Sequence, residues 1–177
     1  MIKVVDMEQS YATDYRDTAK PNRSGIKSYM TISIRLGKRE DADAAVAVLS
    51  QSIIALCAAD HQGDKSEIAA WLSNKTAAAW ISWVDRSDAT VLVAELDGEI
   101  VGVGMVNHKG EVLLNYVRPD KRFQGISKAT LFELESIVRS IGVKVCYLES
   151  TITAKKFYES AGYIAMNDNE HRMFKRL

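Results

Sequence analysis

The sequence of 177 residues has little of what several kinds of function require. It contains two cysteines, Cys57 and Cys146, so no disulfide framework holds it together. Each stands in an apolar pattern and reads as a reduced, buried thiol. The three histidines are scattered, and no His/Cys spacing suits a metal site. Formal charge balances at zero, 23 basic against 23 acidic side chains, so no global field recruits nucleic acid or an anionic membrane. No apolar run approaches the roughly 20 residues that a membrane span needs. Residues 1–29 lack the apolar core of a signal peptide. There are no internal repeats and no low-complexity tract. These absences leave a cytoplasmic protein with neither nucleic-acid nor membrane partner as the expectation. With 47% hydrophobic and 26% charged residues, the chain is long enough for a sizeable core.

Residues 1–29 are polar, mixed in charge and without period, with a breaker cluster at Pro21-Asn22-Arg23-Ser24-Gly25. A flexible extension is expected there, followed by one domain over residues 30–177. A strand is predicted over 31–36. Ala42, Ala45, Val46, Leu49, Ile53 and Leu56 recur at three- and four-residue steps, which predicts a helix over 39–59. Asp64 with Glu67, and then Thr76, mark the starts of two further helices. Their tryptophans, Trp71, Trp80 and Trp83, are candidates for either core or cleft. Two apolar runs flank Asp97-Gly98, a two-residue hairpin turn. Gly102-Val103-Gly104 lies inside the second run with no helix after it, so it predicts a bulge or a close neighbour rather than a dinucleotide fingerprint. A strand over 111–117 follows. Next come a helix over 125–140 with Ile126, Ala129, Phe132, Ile137 and Val138 inward, a strand over 143–149, and a helix over 154–161. A last strand pair spans 163–166 and 172–174. Helices interleaved with a mostly antiparallel sheet make a mixed α/β domain.

The most informative stretch is Val117-Arg-Pro-Asp-Lys-Arg-Phe-Gln-Gly-Ile-Ser-Lys128. Strand, tight loop with glycine, and helix start would point several backbone N–H groups at one spot, with the positive end of the helix dipole behind them. A pyrophosphate is the natural occupant. Gly125 permits close approach, Ser127 adds a hydroxyl, and Lys121, Arg122 and Lys128 supply a local positive patch. Downstream stands Ala154-Lys-Lys-Phe157-Tyr158-Glu-Ser-Ala-Gly162-Tyr163.

The two motifs, in this order, resemble the acetyl-CoA loop and the Ala-x-x-Phe-Tyr-Glu-x-x-Gly-Phe/Tyr signature of the GNAT superfamily of N-acetyltransferases, over about residues 31–177. Ser127 stands where that family usually has Gly or Ala, and Thr151 where it commonly has Asn. The resemblance implies a GNAT-like fold, acetyl-CoA as co-substrate, no metal, a monomer or homodimer, and acetyl transfer to a small-molecule or peptide amine. It also implies that Val117, Arg122, Phe123, Gln124, Gly125, Ile126, Ser127, Lys128 and Thr151 contact the cofactor. The pantetheine arm would pair with 114–117 and 148–149 as an added strand. Tyr158 would protonate the leaving thiolate; its ordinary pKa of ~10 exceeds a thiol's ~8.5, so the role needs a tuned setting. A base for the acceptor ammonium is open among Glu111, Glu95, Glu149 and His108, with Asn115 and Tyr116 as the other polar residues of the strand.

Two other readings compete. Gly125-Ile-Ser127 approximates a hydrolase elbow, with Asp168 and His171 in the right order. However, the strand ends several residues too early, at Val117. A GNAT-fold module that holds CoA without transferring acetyl is the stronger rival, because no base is obvious.

Overall fold

In the computed structural model, residues 31–166 and 169–177 are described. The extension expected over 1–29, Met30, Asp168 and the turn residue Asn167 lie outside them. The described residues open with strand β1 (Ile32–Leu36), then a single 3-10 turn at Arg39–Asp41 and helix α1 (Ala42–Leu56). The helix predicted over 39–59 is therefore broken. It ends at Cys57, and a short α2 (Ala58–His61) resumes it before Gln62 and Gly63 turn left-handed. The inward side of α1 holds Ala42, Ala45, Val48, Leu49, Ser52 and Ile53. Val48 replaces the expected Val46, which is only partly buried. Helices α3 (Lys65–Leu72) and α4 (Ala77–Val84) begin at their expected caps. Trp80 is fully buried, and its indole N–H donates to Lys38 O at 2.8 Å, so this tryptophan belongs to the core.

Strands β2 (Ala89–Leu96) and β3 (Glu99–Asn107) form the expected hairpin. Asp97 and Gly98 both have positive φ, 53° and 81°, the geometry that matches strand twist. Then follow β4 (Glu111–Val117), α5 (Ile126–Ser140), β5 (Val145–Glu149), α6 (Lys155–Ser160), β6 (Ile164–Met166) and β7 (Asn169–Arg176). Among the described residues the strands make one seven-stranded sheet, ordered β1-β2-β3-β4-β5-β7-β6. Every neighbouring pair is antiparallel except β4 with β5.

Apolar side chains fill both faces of the sheet. Helices α1 and α4 cover one, against Val91, Val93, Val103, Met105 and Leu114. Helix α5 covers the other, against Leu92, Val106, Val112, Cys146 and Leu148. Its buried positions are Ile126, Thr130, Leu131, Leu134, Glu135 and Val138. Of the five inward residues expected, Phe132 instead points outward, 57% exposed, while Ala129 and Ile137 are only half-buried. The stripe was misphased because α5 buries a polar pair of positions. Thr130 packs on Gly104, and Glu135 is held by Lys175 Nζ at 2.8 and 2.9 Å.

Candidate active site

The glycines inside β3 place α5. A Cβ on Gly102 would lie 2.9 Å from Ile126 Cγ2, and one on Gly104 only 2.5 Å from Thr130 Cγ2. No real Cβ tolerates such contacts, so these two positions let the helix sit directly on the sheet. That sets where the first turn of α5 lies relative to β4.

Parallel β4 and β5 pair at two positions only, Glu111 with Tyr147 and Val112 with Leu148. Immediately afterwards β4 carries an extra residue, Leu113, between partners Val106↔Val112 and Met105↔Leu114. Such a bulge bends its strand and increases the local twist. Residues 113–117 thus diverge from β5, and their β5-facing backbone has no strand partner among the described residues. Leu113, 37% exposed, stands at the point of divergence.

The loop beyond β4 runs through a 3-10 turn (Pro119–Lys121), then Phe123 at φ 62° and Gly125 at φ 83°. The start of α5 differs from those of its neighbours. Asp64 accepts from the Ser66 and Glu67 amides to cap α3, and Thr76 from Ala79 to cap α4. Gly125 offers α5 no side-chain cap. The amides of Ile126, Ser127 and Lys128 therefore stay open at the positive end of a 15-residue helix. A Cβ on Gly125 would meet no atom of the chain within 4 Å, so the approach to these amides is clear. Charge agrees. Arg35, Arg39, Arg86 and Arg118 are each ion-paired, whereas Lys121, Arg122 and Lys128 form no salt bridge among the described residues. This cradle fits a diphosphate.

At the other end of the divergence is Tyr158 on α6, 7% exposed, with its ring edge-on to Phe157 at 5.0 Å and Tyr163 at 5.7 Å. Burial pushes its phenol above the ordinary tyrosine range, and the facing Asn115 amide opposes this weakly. Asn115 Nδ2 also donates to Ser127 O at 3.3 Å, and its buried Oδ1 has no partner. One side chain of β4 thus bonds the first turn of α5 and lies near the phenol.

Residues on the opposite face of β4 form the second wall. Tyr116 is half-buried, and burial pushes its phenol up to about 12. Its hydroxyl lies near the Trp71 side chain, Cys57 and Asp60. Burial likewise pushes the Cys57 thiol up to about 11. Asp60 Oδ1 accepts from Ile152 N at 2.6 Å and its Oδ2 from Thr153 Oγ1 at 3.0 Å. The end of α1–α2 is thereby tied to the loop between β5 and α6. His61 is a satisfied core histidine: Nε2 meets Ile53 O at 3.1 Å and Nδ1 accepts from Gly63 N at 3.1 Å.

The residues singled out from the sequence are distributed unevenly. Arg122, Phe123, Gln124, Gly125, Ile126, Ser127 and Lys128 form the cradle itself. Val117 packs beside Ile126 beneath it. Thr151 lies at the entry to α6, where its Oγ1 accepts from Ala154 N at 3.1 Å. Glu149 ends β5 at the divergence. It alternates with the inward Cys146 and Leu148 and so shares the side of Tyr147 and Tyr116. Glu111 lies on the paired end of β4, accepting from Asn107 Nδ2 at 2.9 Å. Glu95 is bound by Arg35 at 2.6 and 2.9 Å, together with Asp41. His108 is in the exposed turn before β4, 3.4 Å from Thr90 Oγ1. His171 Nδ1 lies 3.1 Å from Ser150 O, and no hydrogen bond joins it to Ser127 among the described residues. Sequence reasoning missed Asp60, whose partners are 92 and 93 residues away. It named Asn115 and Tyr116 only as polar strand residues.

The open helix start thus follows a parallel strand pair that diverges. A family model described as an acetyltransferase (GNAT) domain matches residues 57–174. The chain belongs to the GNAT acetyltransferase family. Solved structures agree in fold. A PaiA N-acetyltransferase from Thermoplasma acidophilum, in complex with coenzyme A, is 23% identical, with TM-score 0.76, and the match covers 84% of this chain and 100% of that one. A GCN5-related N-acetyltransferase from Rhodopseudomonas palustris is 22% identical, with TM-score 0.74, covering 88% and 100%. A GNAT family acetyltransferase from Brucella melitensis, in complex with acetyl-CoA, is 20% identical, with TM-score 0.56, covering 82% and 88%. None of the curated proteins compared with the chain matches it. Among the described residues no helix is long and apolar enough to cross a membrane, and no group of His, Cys, Asp and Glu could hold a metal ion.

Proposed function

We propose that this GNAT protein moves an acetyl group from acetyl-CoA to a primary amine of a small molecule or peptide, by direct attack on the thioester. The observation that carries this is the uncapped, cation-flanked start of α5, whose first turn Asn115 holds from β4. Acetyl-CoA supplies the acetyl group and the leaving thiol. The open amides of Ile126, Ser127 and Lys128 hold its diphosphate, with Arg122 and Lys128 offsetting the charge. The unpaired edge of β4 over 113–117 takes the pantetheine arm as an added strand.

Tyr158 gives its phenolic proton to the leaving sulfur. Asn115 stands beside this step: its Nδ2 reaches Ser127 O and its amide lies near the phenol. The amine enters from the other side, along Tyr116 and Trp71. Of the four candidates for its proton, Glu149 is placed best. It ends β5 at the divergence, is exposed, and forms no ion pair among the described residues. Glu95 is committed to Arg35, and Glu111 is at the paired end of the strand.

The test is CoA release with a panel of amines, run on the wild type, Tyr158→Phe and Glu149→Gln. Both variants should lose turnover by about 10²-fold, with acetyl-CoA affinity within twofold of wild type. If the wild type binds acetyl-CoA but releases no thiol with any amine, a CoA-holding module replaces the enzyme. An unchanged rate in Tyr158→Phe removes the phenol from the mechanism.

A further inference from the structure

The cradle described above has one part that its backbone does not explain. Phe123 carries a bulky side chain at φ 62°, a conformation that glycine adopts freely and that costs a phenylalanine stability. Its ring does not recover that cost by packing, because Phe123 is 93% exposed, the highest exposure of any large apolar side chain among the described residues. One ring face is backed by the Arg122 guanidinium, 4.7 Å from the centroid. The other is open, three residues before the helix whose amides face the diphosphate. A flat aromatic face, braced from behind by a cation and presented to solvent beside a phosphate cradle, suits a purine. Stacked rings of this kind recognise bases through their π-faces, and a guanidinium on the far side adds to the stack.

Resting on the assignment of this loop to the diphosphate, we propose that the Phe123 ring stacks on the adenine of coenzyme A, with Arg122 as its backing. The backbone at Phe123 is left-handed, and its ring stands exposed beside the cradle.

The experiment compares two ligands by calorimetry: CoA, and 4′-phosphopantetheine, which lacks the adenosine half. The ratio of their dissociation constants reports what the whole 3′-phospho-AMP half contributes, phosphates included, and the change in that ratio when only the ring is replaced isolates the stack. In Phe123→Ala and Phe123→Leu this advantage should shrink about tenfold, the lower range of what one stacked base is worth; Phe123→Trp should keep it. Phe123→Gly should show the same loss of advantage while raising the unfolding temperature, because the strain goes with the ring. An unchanged ratio in both Phe123→Ala and Phe123→Leu overturns the stack. Should that occur while Gly125→Val still weakens CoA binding, the diphosphate cradle stands and only the purine platform falls. If the wild type binds no CoA, both fall together.

Discussion

Gly104 offers the sharpest test of how the fold holds the cradle in place. It lies in β3 under α5, and a Cβ there would come within 2.5 Å of Thr130 Cγ2 and 3.2 Å of Leu134 Cδ1. Both neighbours are fully buried, Thr130 and Leu134 each at 0% exposure, so neither can swing into solvent. Gly104→Ala must therefore push the helix away from the sheet or distort it. Overpacking of this kind costs about 1–3 kcal/mol, and for a chain of this size roughly 2–4 °C of melting temperature per kcal/mol. The second arm uses a property of Thr130 itself: its Oγ1 is buried without a hydrogen-bond partner. Thr130→Ala removes the clashing methyl and an unsatisfied hydroxyl together, so by itself it should change stability by less than about 1 kcal/mol. Combined with Gly104→Ala it should restore about half or more of the lost stability, a favourable coupling of roughly 1–2 kcal/mol. Urea unfolding of the four proteins measures the cycle. Because the start of α5 moves with the helix, Gly104→Ala should also weaken CoA binding, and the double variant should regain it. A fully stable Gly104→Ala, or an additive cycle, would refute the idea that close backbone approach positions α5.

The Tyr158 phenol, raised by burial above its ordinary ~10, stays protonated through alkaline pH. Any fall of kcat between pH 8 and pH 10 should therefore persist in its shape in the residual activity of Tyr158→Phe; loss of that limb in the variant would contradict the raised value. Asp60→Ala should cost about 1–2 kcal/mol by removing two acceptor oxygens. It should also speed amide exchange at Ile152, read by mass spectrometry, and exchange as slow as wild type would show that the tie is not needed. The Arg35 guanidinium, hydrogen-bonded to Asp41, holds that carboxyl below its usual value. A depressed folded pKa gives stability that is present above about pH 4 and is lost as pH falls through the folded value. Arg35→Met should thus destabilise by about 2–3 kcal/mol at pH 7 and flatten the acid limb of the stability curve; an unchanged limb would exclude this pair as its source.

Much of the site is legible in local sequence because its parts are local. The loop 117–128 needs a glycine at positive φ and a helix start free of a capping side chain, and both are visible in a dozen consecutive residues. Phe157-Tyr158 and Gly162 sit on one short helix with its stop. The caps Asp64 and Thr76 and the Asp97-Gly98 turn are equally local, since each acts within three residues. Failures came where a distant partner decides. The α5 stripe was misphased because Thr130 and Glu135 are buried on account of Gly104 and Lys175, which no helical period contains. The long helix over 39–59 broke at Cys57, where the chain turns to bring Asp60 to Ile152.

The strand carboxylates are the clearest case of what remained hidden. From sequence, Glu111, Glu95 and Glu149 are three strand carboxylates of equal standing. Only the register shift at Leu113 places one of them, Glu149, at the opening, while it leaves Glu111 on the paired side. Sequence alone therefore determined the elements, their order and the uncapped glycine start of one helix, because backbone conformation and capping are settled within a few residues. The tertiary structure decided which side chains meet at the diverging strands, because a bulge, two glycines under a helix and a carboxylate reaching across the fold act between segments that are remote along the chain.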